Sequence, residues 1–147
     1  MKLDNTMIIV ANLGELKEYH VQKHEAIVGN DLKISYALEL HHAMDYIDAH
    51  KKMQDVVSDS AGRFGNSIGE EHNLENERKK RTIEDVANDI NAIIEKEKPK
   101  QLFLAFPQEL NAQLLEALSA ETKNVLTKNI ASDLVKTNKE KLLSYFE

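Results

Sequence analysis

The chain has 147 residues, of which 41% are hydrophobic and 30% are charged, and its formal net charge is −6. This length suits one folded domain with an ordinary core, so we expect one domain over residues 1–147. The absence of cysteine excludes disulfides and thiolate metal ligands. The acidic balance argues against nucleic-acid binding through bulk positive charge.

Targeting and membrane-spanning segments are not expected in this sequence. No apolar run approaches the about 18 residues that a membrane helix needs. Met1–Ala11 lacks the long apolar region and the small-residue cleavage site of a signal peptide. These features predict a cytoplasmic protein that does not enter a membrane.

The front half of the chain predicts three antiparallel strands. Thr6–Ala11 is a continuous apolar, β-branched run, which is typical of a central strand buried on both faces. After turn residues at 12–14, the mixed polarity of Glu15–Gln22 predicts an exposed return strand, whose edge leaves both a monomer and a homodimer open. Leu32–His41 alternates cleanly and predicts the third strand. Residues 42–54 favour no one structure.

The back half predicts alternating helices and strands. Apolar residues at helical spacing indicate a long amphipathic helix that begins near Leu74 and ends before Pro99. Gln101–Phe106 is a second continuous apolar run and predicts another central strand, after which Pro107 is expected to open a helix. Val125–Ser132 predicts the last strand.

A terminal helix completes the predicted order. Thr137 and Glu140 have capping-box spacing and precede an apolar run. The order is therefore βββαβαβα, an α/β domain in which three antiparallel strands are followed by crossover units. This mixed sheet resembles the arrangement of the ribonuclease-H-like folds.

The stretch from Asp55 to Arg81 joins the two halves. Residues 61–69 hold three of the five glycines, which leaves the backbone free to adopt positive φ or to approach a ligand closely. A polar loop between rigid elements is a common place for function. We therefore expect residues 55–73 to contain a loop that makes functional contacts.

Four tracts of the sequence carry a family resemblance, and together they extend over nearly the whole chain. They are DVVSDSAGRF at Asp55–Phe64, IIVAN at Ile8–Asn12, LFLAFP at Leu102–Pro107 and SDL at Ser132–Leu134. The chain thereby resembles the bacterial family named "protein required for attachment to host cells". That family is similar to the middle domain of archaeal and eukaryotic class-one peptide release factors, and this likeness implies the fold and the placement of the loop.

The release factors carry a GGQ motif that supports ester hydrolysis, and this chain lacks it. The corresponding loop reads Gly62-Arg63-Phe64-Gly65-Asn66, with no adjacent glycine pair and no glutamine. Peptide release is therefore not implied. Many members of the nearer family have aspartate after the first strand, where this chain has Asn12, and the missing charge weakens an acid–base or metal role there.

Metal-dependent chemistry is not expected either. A two-metal nuclease needs several carboxylates at the ends of central strands, but the sequence offers only Asp133 near such an end. His41 and His42 should point to opposite faces of a strand, and the spacing of His20 and His24 would suit a helix rather than the predicted strand. We interpret the six histidines as surface residues and predict no metal or cofactor site.

A basic cluster follows the loop at Arg78–Arg81. One interpretation is that the cluster, together with Arg63 of the loop, contacts the phosphates of an RNA, which a ribosomal partner would provide. The alternative is a solvated helix face whose basic residues pair with neighbouring acids such as Glu75, Glu77, Glu84 and Asp85. The seven acidic residues between Glu70 and Asp89 favour this alternative.

The sequence therefore predicts a binding module, more readily than an enzyme, that presents a loop to a translation component or another macromolecule. Asp59 would order the loop, Gly62 and Gly65 would permit its path, and Arg63, Phe64 and Asn66 would make contacts with support from Arg78 and Arg81. A small hydrolase using Asp59, His72 and Asp133 is the first alternative. An indirect role in attachment to host cells is the second.

Overall fold

The computed structural model describes residues 3–46 and 68–146, with side chains in the second range from residue 74 onward. Its centre is one five-stranded mixed sheet in an α/β arrangement. The strands are β1 (Thr6–Ala11), β2 (Glu15–Val28), β3 (Asp31–Asp45), β4 (Gln101–Phe106) and β5 (Leu126–Ala131). The helices are α1 (Ile68–Glu97), α2 (Asn111–Ala117), α3 (Ala120–Val125) and α4 (Lys139–Leu142), followed by a 3-10 turn at Leu143–Phe146.

The sheet order is β3-β2-β1-β4-β5. β1 pairs antiparallel with β2 and parallel with β4, so it is the central strand, and all six of its residues are buried as its apolar run predicts. β2 lies between β1 and β3. The expectation of an exposed edge at Glu15–Gln22 is therefore wrong, because β3 and β5 are the strands that occupy the edges.

α1 covers one face of the sheet. Its apolar side chains, including Ile83, Val86 and Ile90, pack against Met7 and Ile9 of β1 and against the even-numbered residues of β4. The helix begins at Ile68, earlier than the apolar spacing predicts. Acidic residues in the first turn, here at positions 70 and 71, favour a helix N-terminus and account for the earlier start.

The C-terminal segment covers the other face. Leu142 and Phe146 are buried against Ile8, Val10 and Phe103, and the rings of Phe103 and Phe146 stack with centroids 5.4 Å apart. The predicted terminal helix is present, but Asn138 caps it in place of Thr137, because the Asn138 side chain accepts the backbone N–H of Glu140 at 3.1 Å.

The chain between β4 and β5 differs from the predicted single helix. Pro107 begins a turn in which the Leu110 N–H donates to the Pro107 carbonyl at 3.1 Å, and α2 starts only at Asn111. The short helix α3 follows, with Ser119 as its N-cap. Asn91 of α1 joins these pieces, since its Oδ1 accepts from the Ser119 N–H and from the Thr122 hydroxyl, each at 2.9 Å.

β2 and β3 are longer than predicted and extend beyond the rest of the sheet. β1 pairs with β2 only as far as His20, so from Val21 onward β2 pairs with β3 alone. We call residues 21–38 the arm. The predicted alternation of β3 is present. Only Leu38 of the face formed by Leu32, Ile34, Tyr36, Leu38 and Leu40 is buried, because most of this face lies on the arm.

Candidate functional site

The predicted loop contacts cannot be placed in this structure. Asp59, Gly62, Arg63, Phe64, Gly65 and Asn66 lie outside the described residues. His72 lies in the first turns of α1, and its side chain is also outside them. Of the predicted site residues, the structure therefore describes Asp133, Arg78 and Arg81.

Asp133 lies beside Asn12 at the carboxyl ends of the parallel strands. The Asn12 Nδ2 donates to Asp133 Oδ2 at 3.1 Å, while Asn12 Oδ1 accepts the backbone N–H groups of Gly14 at 2.7 Å and Glu15 at 2.8 Å. The other oxygen of Asp133 accepts the Val135 N–H at 3.1 Å. Both side chains thus hold turns in place and tie the end of β1 to the segment after β5.

A pair of amide side chains lies near the same strand ends, two residues before the end of β5. Asn111 and Asn129 exchange hydrogen bonds of 2.6 and 3.0 Å, and the Asn129 Nδ2 also donates to the carbonyl of Leu104. The edge where an α/β sheet usually binds ligands is therefore built from side chains that bond to one another. Among the described residues this edge offers no converging pair of carboxylates for general acid–base chemistry.

The basic cluster on α1 has a mixed environment. Lys79 pairs with Glu75 one turn away, with 3.8 Å between Nζ and Oε1, as the solvated-face alternative predicts. Within residues 3–46 and 74–146, no carboxylate lies within 4.0 Å of the charged groups of Arg78, Lys80 or Arg81. Lys80 and Arg81 are exposed and Arg78 is half-buried, so these cations can reach an external anion.

The chain that leads toward the loop is anchored at Tyr46. The Tyr46 hydroxyl donates to Asp89 Oδ2 of α1 at 2.7 Å, and its backbone N–H donates to the Gly14 carbonyl at 2.8 Å. Burial, and then the hydrogen bond to Asp89, raises the pKa of Tyr46 far above its ordinary value. The phenol therefore stays neutral and keeps its donor.

The arm carries most of the large apolar side chains that are exposed in the described structure. The exposed fractions are 79% for Ile27, 62% for Val28, 60% for Leu32 and 46% for Ile34. Apolar surface of this kind is typical of a contact with another macromolecule. At its base the arm and α4 border a cleft of about 390 Å³, lined in part by Tyr36, Leu38 and Leu143.

A cluster that sequence reasoning missed lies where the arm leaves the sheet. Glu18 and His20 of β2 and His41 of β3 place their ligating atoms within 4.8 Å of one another. The imidazoles of His20 and His41 stack with centroids 4.1 Å apart. The spacing of these residues along the sequence does not indicate the cluster, because the pairing of β2 with β3 is what brings His41 next to Glu18 and His20.

None of the helices formed by residues 3–46 and 68–146 has the length and apolarity required to cross a membrane.

Two comparisons with known proteins bear on this chain. A search of curated proteins finds no match. The family model described as "Protein required for attachment to host cells" matches residues 7–146. The match extends from β1 to the 3-10 turn near the C-terminus and covers far more than half of the chain, and the chain therefore belongs to the family of proteins required for attachment to host cells.

Proposed function

We propose that the protein is a non-catalytic binding module of the cytoplasm that contacts a ribosomal particle through the 59–66 loop and the arm. The observation that carries this proposal is the apolar end of the arm. Ile27 and Leu32 are more than half exposed, although most large aliphatic side chains of the described residues lie in or against two cores. When a partner covers such residues on a projecting hairpin, apolar surface is removed from water, and this burial stabilises the complex.

The choice of a ribosomal partner rests on the similarity to release-factor middle domains. We propose the same ribonuclease-H-like fold for this chain, and the mixed sheet, in which two antiparallel pairings among the first three strands are followed by two parallel pairings, supports that assignment. Gly62 and Gly65 would shape the loop, Asp59 would order it, and Arg63, Phe64 and Asn66 would make the contacts. Arg78 and Arg81 would add phosphate contacts from α1, within the limit set by their acidic neighbours.

The test is co-sedimentation of the purified full-length protein with purified bacterial ribosomal particles at two salt concentrations. We expect the wild type to bind, and the Arg63→Ala/Phe64→Ala and Ile27→Asp/Leu32→Asp variants each to bind at least about tenfold more weakly, as for loss of contact residues worth 1 to 3 kcal/mol. Tyr145→Ala is the matched control, because it removes an apolar side chain that is 53% exposed outside the arm.

Two results would overturn the proposal. One is a wild-type protein that does not sediment with the particles. The other is binding that all three variants retain, which would mean that neither surface is used. A loss of binding as salt rises would report how much of the contact is made to phosphate.

An indirect role in attachment is the second candidate, and the description of the family favours it. A strain that lacks the protein would then attach poorly to host cells, and the loop and arm variants would restore attachment despite failing to bind ribosomes. A hydrolase that uses Asp59, His72 and Asp133 has less support. Both carboxylate oxygens of Asp133 already accept hydrogen bonds from the protein.

A further inference from the structure

The root of the arm holds two imidazoles and a carboxylate that face one another. Glu18, His20 and His41 are the members, and all pairs of their ligating atoms lie within 4.8 Å. We propose that these three side chains form a binding site for a divalent transition-metal ion, with Zn²⁺ as the ion that the ligand set fits best. The proposal is independent of a ribosomal partner.

The strand geometry explains how the three residues meet. Successive side chains of a strand alternate between faces, so Glu18 and His20, two positions apart, lie on the same face of β2. The register of β2 with β3 is irregular between Glu18, which pairs with His42, and Tyr19, which pairs with Leu40. His41 is the extra residue of this bulge, and bulges commonly redirect a side chain. Here the imidazole of His41 lies against that of His20.

The chemistry of the set suits zinc. Imidazole nitrogen and carboxylate oxygen are both zinc ligands, with bonds of about 2.0 to 2.2 Å, and two histidines with one glutamate form a complete protein ligand set when water fills the fourth position. Tetrahedral ligands at those bond lengths lie about 3.3 Å apart. His20 Nε2 and Glu18 Oε2 are 2.5 Å apart, so metal binding requires them to separate by less than about 1 Å.

Burial distinguishes Glu18 from an ordinary surface carboxylate. Its side chain is 3% exposed, whereas His20 is 30% and His41 48% exposed. A carboxylate removed from water in this way needs a positive or hydrogen-bonding partner. Among the described residues, the contact that answers this need is the one to His20, and a divalent ion would compensate the charge more completely.

A fourth coordination position is available beside the three ligands. Glu97, the last residue of α1, places Oε1 3.5 Å from His41 Nε2, and its side chain is 27% exposed. His20 and Glu97 also line a cavity of about 160 Å³ together with Asn5 and Thr6, which is enough room for water molecules. A water can complete a tetrahedron here, because Glu97 lies beside His41 but outside the group whose ligating atoms lie within 4.8 Å of one another.

The position of the site suggests what the ion does. His20 is the last residue of β2 that pairs with β1, and the arm begins at the next residue. An ion bound by Glu18 and His20 of β2 and by His41 of β3 would cross-link the two strands at the point where the arm begins. Metal binding would therefore stabilise the root of the arm and fix its direction relative to the sheet.

The test is a titration of the full-length, chelator-treated protein with Zn²⁺ in a calorimeter and with Co²⁺ in a spectrophotometer. We expect one ion per chain, a tetrahedral Co²⁺ absorption band, and a higher Tm in the presence of Zn²⁺. His41→Ala and Glu18→Gln should each weaken Zn²⁺ binding by about tenfold or more and abolish the Co²⁺ band.

His24→Ala is the matched control, because His24 lies on β2, as His20 does, but outside the cluster. It should bind Zn²⁺ as the wild type does. If Glu18→Gln does not fold, His41→Ala still decides the matter, because His41 is half exposed and its removal leaves both cores intact. The proposal is overturned if the wild type shows no saturable one-to-one binding. Equal weakening by His24→Ala and His41→Ala would also overturn it, since that is adventitious binding to surface histidines.

Discussion

At the scale of single residues, Asn12 is an uncharged side chain next to Asp133, at a position where an aspartate would bring two carboxylates together. Its amide nitrogen donates to Asp133 across 3.1 Å. Asn12→Asp would replace this donor with a second carboxylate oxygen while keeping the acceptor for Gly14 and Glu15. We expect the free energy of unfolding at pH 7 to fall by about 1 kcal/mol, because like charges would face each other at a partly exposed site.

Urea unfolding measures this change. The deficit should shrink as the pH falls toward 4, since protonation of the introduced carboxyl relieves the repulsion. The double variant Asn12→Asp/Asp133→Asn restores one donor facing one acceptor and should recover most of the loss. A single variant that is as stable as the wild type at pH 7 would show that the two side chains do not interact in solution.

Tyr46 makes a second prediction at this scale. Its pKa is raised in the folded state, first by burial and then by the hydrogen bond to Asp89, so folding favours the neutral phenol. The stabilisation is complete below the unfolded pKa of about 10 and is lost as the pH rises beyond it toward the folded pKa.

We expect Tyr46→Phe to lower the free energy of unfolding by about 1 to 2 kcal/mol at pH 7. It should also flatten the loss of stability above pH 10. Urea titrations between pH 7 and 11 test both effects, with Tyr145→Phe as the control at a tyrosine that is 53% exposed. Identical alkaline profiles for wild type and Tyr46→Phe would contradict the assignment.

At the scale of elements, one side chain joins α1 to the turn between α2 and α3. Asn91 Oδ1 accepts from the Ser119 N–H and the hydroxyl of Thr122, which is fully buried. Asn91→Ala should cost about 2 kcal/mol because both donors lose their acceptor in a site with little water. Asn91→Asp keeps the oxygen and places a charge near the N-terminus of α3, so it should lie within about 0.5 kcal/mol of the wild type. Equal losses for both variants, measured by urea unfolding, would show that packing matters more than the hydrogen bonds.

Elements whose pattern is local and strong could be predicted from the sequence. Thr6–Ala11 and Gln101–Phe106 have the predicted bounds, because continuous apolar runs of this length fit a strand buried on both faces. The start of α2 could not be predicted, because Pro107 suits the first turn of a helix as well as the turn that it forms here. The cap of α4 depended on a choice between neighbouring Thr137 and Asn138, and both residue types are common caps.

The candidate site was less predictable than the fold because its residues are distant in sequence. Glu18 and His41 meet through an irregular strand register, which no local pattern encodes. The partnership of Asn12 with Asp133 likewise depends on the order of strands in the sheet. The length of the arm was underestimated because the polar residues of β2 beyond Gln22 are typical of a loop as well as of a strand that is exposed on both faces.

At the scale of the whole molecule, the structure divides into a body with two cores and an arm. Only Val21, Tyr36 and Leu38 of the arm belong to or pack against either core. Local opening needs less free energy where few apolar contacts are broken. We therefore expect amide hydrogens of residues 22–27 and 32–35 to exchange faster than those of β1 and β4, and at a rate independent of global unfolding. Hydrogen exchange with mass spectrometry measures both regions in one experiment.

The same experiment shows whether the arm is covered in solution. A free arm exchanges at the same rate at every protein concentration. Protection that appears at high concentration and disappears on dilution would mean that a second copy covers Ile27 and Leu32, and Ile27→Asp/Leu32→Asp should abolish it because burying a charge opposes association. Arm amides that are as slow as those of β1 at all concentrations would contradict the division, since the few contacts of the arm cannot provide that protection unless it folds together with the body.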